Sequence, residues 1–358
     1  MPKLSSRSTI SPTKSAVNSA VRILFRADGN TTIGLGHMVR SLALADMVRA
    51  VAPGLVLART PPAVVRELVA QAGLPLLELP ELAPAEEADY LLARVLRPTD
   101  VLVLDGYGFD SDYRRRVRAS GCRLVCLDDL HAGFFPADLI INHSPGVTAA
   151  DYQAEPTTRF CLGPAFSLLR PPFLRHAALP RPAGPVASVL VCFGGADPLQ
   201  LTARMLAALL ALGSLARIGL LLGGAAAAPT AIQALLAAHP QQQVTLYRSL
   251  LAEEMVPVLL GYDAVICPAS TILIESLVLG RPVITGYYAD NQRALAAYVH
   301  AHQQAHSVGD FAAYSDPPLA AALRAGLSRL ATQPRQPYAQ QLAPDELRAR
   351  FRALLPGA

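Results

Sequence analysis

The sequence predicts an α/β protein built from two doubly wound, Rossmann-like domains with a cleft between them. Three observations support this prediction. Short apolar runs rich in β-branched residues alternate with segments of helical periodicity, as in parallel sheets built from βαβ units. The chain has 358 residues, enough for two ordinary domains. Five prolines fall between residues 170 and 187, where the alternating pattern pauses before it starts again.

The first domain is predicted to span residues 21–169. Strands are expected at 22–28, 55–58, 101–104, 123–127 and 139–141, and helices at 37–48, 63–72 and 112–119. Residues 1–20 are rich in Ser and Thr and lack the apolar centre of a secretory signal, so we interpret them as a disordered leader. Residues 170–187 are the predicted linker, because proline neither continues a helix nor donates to a strand ladder.

The second domain is predicted to span residues 188–335 and to be followed by a helical segment, 336–358. Strands are expected at 188–193, 217–222, 244–247, 264–267 and 283–285, with helices at 199–212 and 344–355. The proline at 344 stands in the first turn of its helix, where a missing N–H is harmless. Ligands of such sheets bind at the carboxyl ends of the strands, so residues that directly follow strands are the candidates for function.

Composition excludes several classes of protein. The 31 Lys and Arg exceed the 27 Asp and Glu by only four, and the basic residues are scattered, so we expect no nucleic-acid partner. Mean hydropathy is +0.32, but the apolar runs are too short to span a membrane, and we expect no membrane insertion. The five cysteines show no C-x-x-C spacing, which indicates buried thiols in a cytoplasmic protein.

The segment Gly34-Leu35-Gly36-His37 lies where a strand turns into a helix. Two glycines let the backbone approach a ligand closely, and the helix N-terminus presents free N–H groups. The positive end of the helix dipole favours a neutral imidazole, which can accept a proton. His37 is therefore the candidate general base, although a capping or packing histidine explains the same position. No third glycine completes a dinucleotide fingerprint, so a nicotinamide cofactor is not expected.

Two segments of the second half are candidates for binding a nucleotide. Gly194-Gly195-Ala196-Asp197 follows a strand, and either a phosphate site or a plain turn capped by Asp197 explains it equally well. Ser270 and Thr271 follow another strand and begin a helix whose amides suit a diphosphate. Glu275, about one turn further on, can accept hydrogen bonds from both ribose hydroxyls.

Asn291 and Gln292 belong to the segment Asp290-Asn291-Gln292, which is predicted to cap the following helix with its amides turned to the same cleft. The carboxylates at strand ends in the first half, Asp105, Asp128 and Asp129, are spread over different strands. That spread favours helix caps or acceptors for substrate hydroxyls over a metal site.

Several of these segments together resemble one family. They are Phe25-Arg26-Ala27-Asp28, Gly34-x-Gly36-His37-x-x-Arg40, Asp128-Asp129-Leu130, Gly194-Gly195-Ala196-Asp197 and Asp290-Asn291-Gln292. The combination resembles the UDP-2,4-diacetamido-2,4,6-trideoxy-β-L-altropyranose hydrolases of pseudaminic acid synthesis. These hydrolases are relatives of the GT-B glycosyltransferases. The resemblance runs from about residue 21 to about residue 305.

The resemblance implies a hydrolysis that needs no metal and releases UDP when water attacks the anomeric carbon. His37 matches the proposed base, Ser270, Thr271 and Glu275 match the segment that holds diphosphate and ribose, and Asn291 and Gln292 match a pair facing sugar or phosphate. Pro268-Ala269 replaces a Gly-Gly pair present in many members. No cofactor is expected. The candidate substrate-binding residues are Arg26, Asp28, Gly34, Gly36, Arg40, Asp128, Gly195, Asp197, Ser270, Thr271, Glu275, Asn291 and Gln292.

Two other functions stay open at this stage. A glycosyltransferase of the same architecture would use an acceptor hydroxyl in place of water and would need a surface on the first half to dock that acceptor. Arg114-Arg115-Arg116 is the one short basic cluster there, and we interpret it as a solvated helix face. A sugar-nucleotide-binding protein without catalytic activity is the third hypothesis.

Overall fold

The computed structural model describes residues 21–30, 34–194, 197, 199–223 and 229–357. It confirms the predicted fold class: two parallel sheets flanked by helices form two α/β domains. The predicted leader, residues 1–20, and the candidate residue Gly195 lie outside the described residues.

The first sheet has the strand order β3-β2-β1-β4-β5-β7-β9, and all of its pairings are parallel. A short parallel pair, β6 with β8, lies beside it. The strands of the first sheet and of this pair are β1 (Ile23–Ala27), β2 (Gly54–Arg59), β3 (Leu76–Leu79), β4 (Val101–Asp105), β5 (Arg123–Leu127), β6 (Phe134–Phe135), β7 (Leu139–Asn142), β8 (Gln153–Ala154) and β9 (Arg159–Leu162). The helices are α1 (Gly36–Met47), α2 (Ala63–Gln71), α3 (Pro84–Arg94) and α4 (Ser111–Arg118).

The second sheet has the order β12-β11-β10-β13-β14-β15 and is also parallel. Its strands are β10 (Ser188–Cys192), β11 (Arg217–Leu222), β12 (Gln243–Arg248), β13 (Ala264–Pro268), β14 (Val283–Tyr287) and β15 (His306–Asp310). The remaining helices are α5 (Pro171–Arg175), α6 (Leu201–Leu212), α7 (Thr230–Ala238), α8 (Ala252–Leu260), α9 (Thr271–Val278), α10 (Asp290–Ala301), α11 (Asp316–Thr332) and α12 (Pro344–Arg352).

Each sheet has one point where the chain reverses its direction of travel across the strands. In the first sheet β2 and β3 lie on one side of β1, and β4 lies on its other side. In the second sheet β11 and β12 lie on one side of β10, and β13 lies on its other side. All four strands are buried along their whole length. Adjacent loops at such a switch point diverge and leave a crevice, which is where open α/β sheets bind their ligands. The fold therefore offers two crevices, one in each half.

Two segments connect the halves. The proline-rich stretch contains the short helix α5, with Pro171 and Pro172 at its first positions, where they cost no hydrogen bond. At the other end of the chain α12 packs against the first sheet, because Leu347 and Phe351 belong to the core that contains Ile23. The domain limits stay a prediction, with this difference: the final helix lies on the first half, although it follows the second in sequence.

Among the described residues, no helix combines the length and the apolar character needed to cross a bilayer. All five cysteines are buried and free, as the apolar sequence around them indicates.

Candidate functional site

His37 lies in the crevice of the first sheet, as the second residue of α1. The backbone before it is open to a ligand: Gly34 has a φ of +75°, and a Cβ added at Gly34 or Gly36 would meet nothing within 4 Å. No described side chain caps this end of α1. His37 is only 9% exposed, yet it lines a cavity of about 230 Å³ together with Asp28, Tyr107 and Phe109. The imidazole can therefore reach a bound molecule.

Asp105 orients the His37 ring. Nδ1 of His37 lies 2.7 Å from Oδ1 of Asp105, the last residue of β4. A carboxylate only accepts, so Nδ1 carries the hydrogen and the neutral ring keeps its lone pair on Nε2. This is the tautomer that a general base needs.

Asp105 is held ionised by several donors. Arg40 donates to both of its oxygens, at 2.8 Å from Nε and 2.7 Å from Nη2, and the Ser41 hydroxyl donates at 3.0 Å. Complete burial acts to raise the pKa of Asp105, but the charge of Arg40 and the hydrogen bond from His37 outweigh it and hold the pKa below its ordinary value. The negative charge beside His37 therefore persists at neutral pH.

Arg40 connects His37 to the next strand. Its Nη1 donates to both oxygens of Asp129, at 2.8 and 2.7 Å, and the Tyr107 hydroxyl donates to the same carboxylate at 3.3 Å. The Tyr107 ring stands edge-on to His37, with 4.6 Å between ring centroids. Burial and the charge of Asp129 raise the pKa of Tyr107, so the phenol stays protonated.

Arg26 forms a second buried ionic cluster in the same cavity. Its Nε and Nη2 donate to Glu87 at 2.7 Å each, and its Nη1 and Nη2 donate to Asp28 at 2.6 and 2.9 Å. Tyr113 donates its hydroxyl to Glu87 at 2.7 Å. Burial acts to lower the pKa of Arg26, but Glu87 and Asp28 outweigh it and raise the pKa. Arg26 is thus a fixed cation that holds Asp28 at the cavity wall.

Asp128 lies outside this cluster. It accepts the His131 N–H at 2.8 Å and the Tyr152 hydroxyl at 3.1 Å, and it lines a neighbouring cavity of about 220 Å³. These bonds give Asp128 a role in ordering the loop after β5. A substrate contact at Asp128 stays a prediction.

In the second half, Asp197 caps α6. Its two oxygens accept the N–H groups of Leu201 and Thr202, each at 2.8 Å. The sequence predicts either a phosphate site or a capped turn for this loop. The structure contains the hydrogen bonds of the cap, and a substrate role of Asp197 stays a prediction.

The N-terminus of α9 is open by contrast. Ser270 occupies its cap position, but no described side chain caps this helix, and Thr271 follows as its first residue. The two residues lie directly after β13, at the crevice of the second sheet. The free N–H groups and the two hydroxyls suit an anionic oxygen.

Glu275 is almost fully buried, at 1% exposure. Both of its oxygens accept from Arg170, which precedes α5, from Nε and Nη2 at 2.7 Å each. Burial raises the pKa of Glu275 above its ordinary value, and the charge of Arg170 offsets only part of that shift. The proposed ribose contact stays a prediction.

Asn291 and Gln292 begin α10, one strand further along the sheet. Oε1 of Gln292 accepts the Tyr288 N–H at 3.1 Å, so this side chain ties the loop to the helix. Their contact with sugar or phosphate stays a prediction.

Sequence reasoning missed several residues of the site. Asp105 was considered as a cap or a hydroxyl acceptor but not as the partner of His37, and Arg59, Glu87, Tyr107 and Arg170 were not singled out. The signal for Asp105 was present, since it ends a predicted buried strand. Among the residues that the structure describes, no group of three His, Cys, Asp or Glu side chains is placed to hold a metal ion.

The chain is similar to other proteins in its sequence and in its fold. No protein-family model matches the sequence. An uncharacterized protein of Methanocaldococcus jannaschii is 24% identical over 284 residues, covering 76% of this chain and 57% of that protein. The chain therefore spans little more than half the length of that relative.

Solved structures match almost the whole chain. MurG of Acinetobacter baumannii aligns with a TM-score of 0.60 and 14% identity over 93% of this chain and 98% of its own. A glycosyltransferase of Rickettsia africae aligns at 0.58 with 10% identity over 94% of both chains. The fold is that of the GT-B glycosyltransferases. Anabaena HepE, solved in complex with UDP, has the same fold, at a TM-score of 0.54 and 15% identity over 92% of this chain and 95% of its own.

Proposed function

We propose that the protein is a hydrolase that releases UDP from a UDP-linked 2,4-diacetamido-2,4,6-trideoxy hexose, the reaction of the pseudaminic acid family that its motifs resemble. The observation that carries the proposal is the His37–Asp105 pair, bonded at 2.7 Å and open to a cavity at the switch point of the first sheet. A buried, oriented imidazole whose Nε2 has no hydrogen-bond partner among the described residues suits the removal of a proton from water.

The reaction balances with these groups. Water attacks the anomeric carbon, the bond from that carbon to the β-phosphate oxygen breaks, and UDP leaves with the electron pair. His37 takes the proton of the water on Nε2, and the charge of Asp105 stabilises the imidazolium that results. Such base catalysis contributes about 10²–10⁴-fold in rate.

The second half supports the departure of UDP. The uncapped N-terminus of α9, with Ser270 and Thr271, places backbone N–H groups and hydroxyls where charge builds up on the diphosphate. Asp197 occupies the corresponding N–H groups of α6 with its own carboxylate. We therefore assign the diphosphate to α9, and the crystal structure of HepE with UDP supports a nucleotide in this fold.

A glycosyltransferase is the second candidate, favoured by the descriptions of the solved structures with this fold. It would need an acceptor surface on the first half, and the basic cluster considered for that role is engaged elsewhere. Arg114 is buried, with its guanidinium 3.7 Å from the Phe135 ring, so Arg115 and Arg116 lie on the expected solvated face and Arg114 does not. Arg115 and Arg116 pair with Asp112 and Asp89.

One experiment separates the candidates. The protein is incubated with the diacetamido sugar nucleotide, with EDTA present and no acceptor, and the reaction is followed by proton and phosphorus NMR. The proposal expects UDP and free sugar in equal amounts. Release of UDP only after a carbohydrate or lipid-linked acceptor is added would identify a transferase, and an unchanged substrate with bound UDP-sugar would identify a binding protein.

A further inference from the structure

Asp129 lies at the first switch point but does not line the cavity that contains His37. It is the second residue after β5, and its side chain is 15% exposed. Both of its oxygens accept from Nη1 of Arg40, at 2.8 and 2.7 Å, and the Tyr107 hydroxyl donates to it at 3.3 Å. Among the described residues Asp129 makes no hydrogen bond to His37, so the two are connected through Arg40.

Arg40 is shared between two carboxylates. Its Nε and Nη2 donate to Asp105, at 2.8 and 2.7 Å, while its Nη1 donates to Asp129. With a neutral imidazole on His37, these four side chains carry two negative charges and one positive charge. When His37 takes a proton, the remaining negative charge is neutralised. Without Asp129 the same step would leave an uncompensated positive charge, which burial makes costly.

Three titratable neighbours of this cluster are neutral. His143 follows β7, and burial and the charge of Arg40 lower its pKa below the ordinary value, so its ring is uncharged at neutral pH. Burial raises the pKa of Tyr107, and also that of Tyr113 in the cavity with His37, so both phenols stay protonated. None of the three brings a charge to the imidazole.

The charged groups in the cavity with His37 compensate one another. Arg26 pairs with Glu87 at 2.7 Å and with Asp28 at 2.6 Å, and Arg59 stands 3.7 Å from Asp28. Two positive charges therefore face two negative ones. The helices α2 and α5, which also pack against α1, contribute to ion pairs with both side chains about half exposed, Arg66–Glu78 and Arg175–Glu253. The net negative charge beside His37 thus comes from the carboxylates that share Arg40.

We propose that Asp129 is a positioning residue for the transfer of a proton to His37. It holds Arg40 from the side of β5 and gives the cluster the negative charge that the proton neutralises. This inference rests on the proposed function, because the proton comes from the water that attacks the sugar nucleotide. A carboxylate with no bond to the imidazole thus determines how well the imidazole accepts the proton.

The test measures UDP release from the UDP-linked diacetamido sugar as a function of pH. Asp129→Asn should lower kcat by about tenfold and change KM by less than about twofold, because the lost interaction acts only when His37 becomes charged. In acid, kcat/KM falls as the free enzyme gains a proton on its base. This acidic limb should move to lower pH by about one pH unit, since removal of a negative charge disfavours the protonated ring.

Two further variants separate charge from packing. Asp129→Glu keeps the charge, so its acidic limb should coincide with that of the wild type even where the longer side chain lowers kcat. The double variant Arg40→Gln/Asp129→Asn removes one positive and one negative charge, so its acidic limb should return toward the wild-type position. If Asp129 acted through packing alone, the double variant would be the most disturbed of the three.

Asp46→Asn is the matched control, since Asp46 is a partly exposed carboxylate on α1 that pairs with Arg49 at 3.3 Å. It should leave kcat and the acidic limb unchanged. Circular dichroism checks that each variant is folded. If Asp129→Asn does not fold, the comparison of the double variant with Arg40→Gln measures the same charge, and loss of the carboxylate should again move the limb to lower pH.

The inference and the proposed function fail in different ways. An acidic limb that stays in place in Asp129→Asn, or that moves equally in Asp129→Glu, overturns the inference and leaves the hydrolase standing. If the wild type releases no UDP from the diacetamido sugar nucleotide, the proposed function has failed, and the role of Asp129 with it.

Discussion

The two switch points of the molecule carry different chemistry, although the same topology builds both. At the end of β4 in the first half stands Asp105, within a network of His37, Arg40 and Asp129. At the end of β13 in the second half stand Ser270 and Thr271, two neutral hydroxyl residues before an uncapped helix. Fixed opposite charges suit the movement of a proton, whereas N–H groups without a competing carboxylate suit an anion. The proposed reaction is thus divided between the two halves of the fold.

Two buried carboxylates, one in each half, differ in the direction of their pKa shifts. Asp105 and Glu275 each receive two bonds from one arginine, yet the pKa of Asp105 is lowered and that of Glu275 is raised. Burial raises the pKa of both. Asp105 has in addition the hydrogen bonds of His37 and Ser41, whereas Arg170 is the one donor to Glu275 among the residues that the structure describes. The number of donors decides which effect dominates.

The largest expected effect is on the first switch point. His37→Ala should lower kcat for UDP release by about 10²–10⁴-fold, because it removes the imidazole that we assign to take the proton of the water. Affinity for UDP, measured by calorimetry, should stay unchanged, since we assign the nucleotide to the second half. His239→Ala, at an exposed histidine after α7, is the matched control. Full activity of His37→Ala would remove the proton-transfer role from the first half.

The two carboxylates should differ in stability when each is replaced by its amide. Asp105→Asn removes the charge that Arg40 and His37 depend on and should cost about 3–5 kcal/mol in the free energy of unfolding at pH 7. Glu275→Gln should cost less than Asp105→Asn, because burial already raises the pKa of Glu275 and makes its charged form less favourable than that of Asp105. Urea unfolding measures both. Equal losses would show that the donors around Asp105 do not matter.

The contributions of Asp105 and Glu275 to the free energy of unfolding should change with pH in different ways. The folded pKa of Asp105 is depressed, so its stabilisation is present above about pH 4 and is lost as pH falls through the folded value. The wild type and Asp105→Asn should therefore converge in acid. The folded pKa of Glu275 is raised, so stability that is present in acid is lost as pH rises through that value, and Glu275→Gln should lack this loss.

A smaller effect separates the two helix N-termini of the second half. Asp197→Ala removes the cap of α6 and should lower stability by about 0.5–2 kcal/mol. Ser270→Ala should leave stability unchanged, because Ser270 makes no cap bond, and should weaken UDP binding by about five-fold. Thermal unfolding and calorimetry on both variants test the pair. The reverse outcome, with UDP affinity lost only in Asp197→Ala, would move the diphosphate to α6.

How much of the fold and of the candidate site the sequence predicts depends on how far apart the interacting residues lie along the chain. Periodicity predicts the strands β1, β4, β10 and β13, and the turns from strand to helix predict His37 and Ser270 as candidates, because both signals are local. The pairing of His37 with Asp105 spans 68 residues of sequence and needs the strand order, which the alternation of elements alone does not determine.

The elements and contacts that the sequence does not predict share a physical reason. Helix α3 and strands β3, β9 and β15 were not predicted, and α3 carries Glu87, which is 1% exposed. A glutamate in a helix ordinarily indicates a solvated face. The burial of Glu87 is favourable because Arg26, 61 residues away, and Tyr113, 26 residues away, donate hydrogen bonds to it. In the same way Arg170, at the start of a proline-rich segment, gave no sign of its bond to Glu275.

The smallest expected effect is on an exposed ion pair of α4. This pair lies outside the first switch point, whose charges are buried. Arg116 pairs with Asp89 at 3.0 Å, with both side chains about half exposed, so Arg116→Gln should change the free energy of unfolding by less than about 0.5 kcal/mol. UDP release should also be unchanged, because water needs no docking surface. Kinetics with and without a lipid-linked acceptor measure this. If Arg116→Gln lowers only the acceptor-dependent rate, then α4 binds a substrate, and the division between the two halves is that of a transferase.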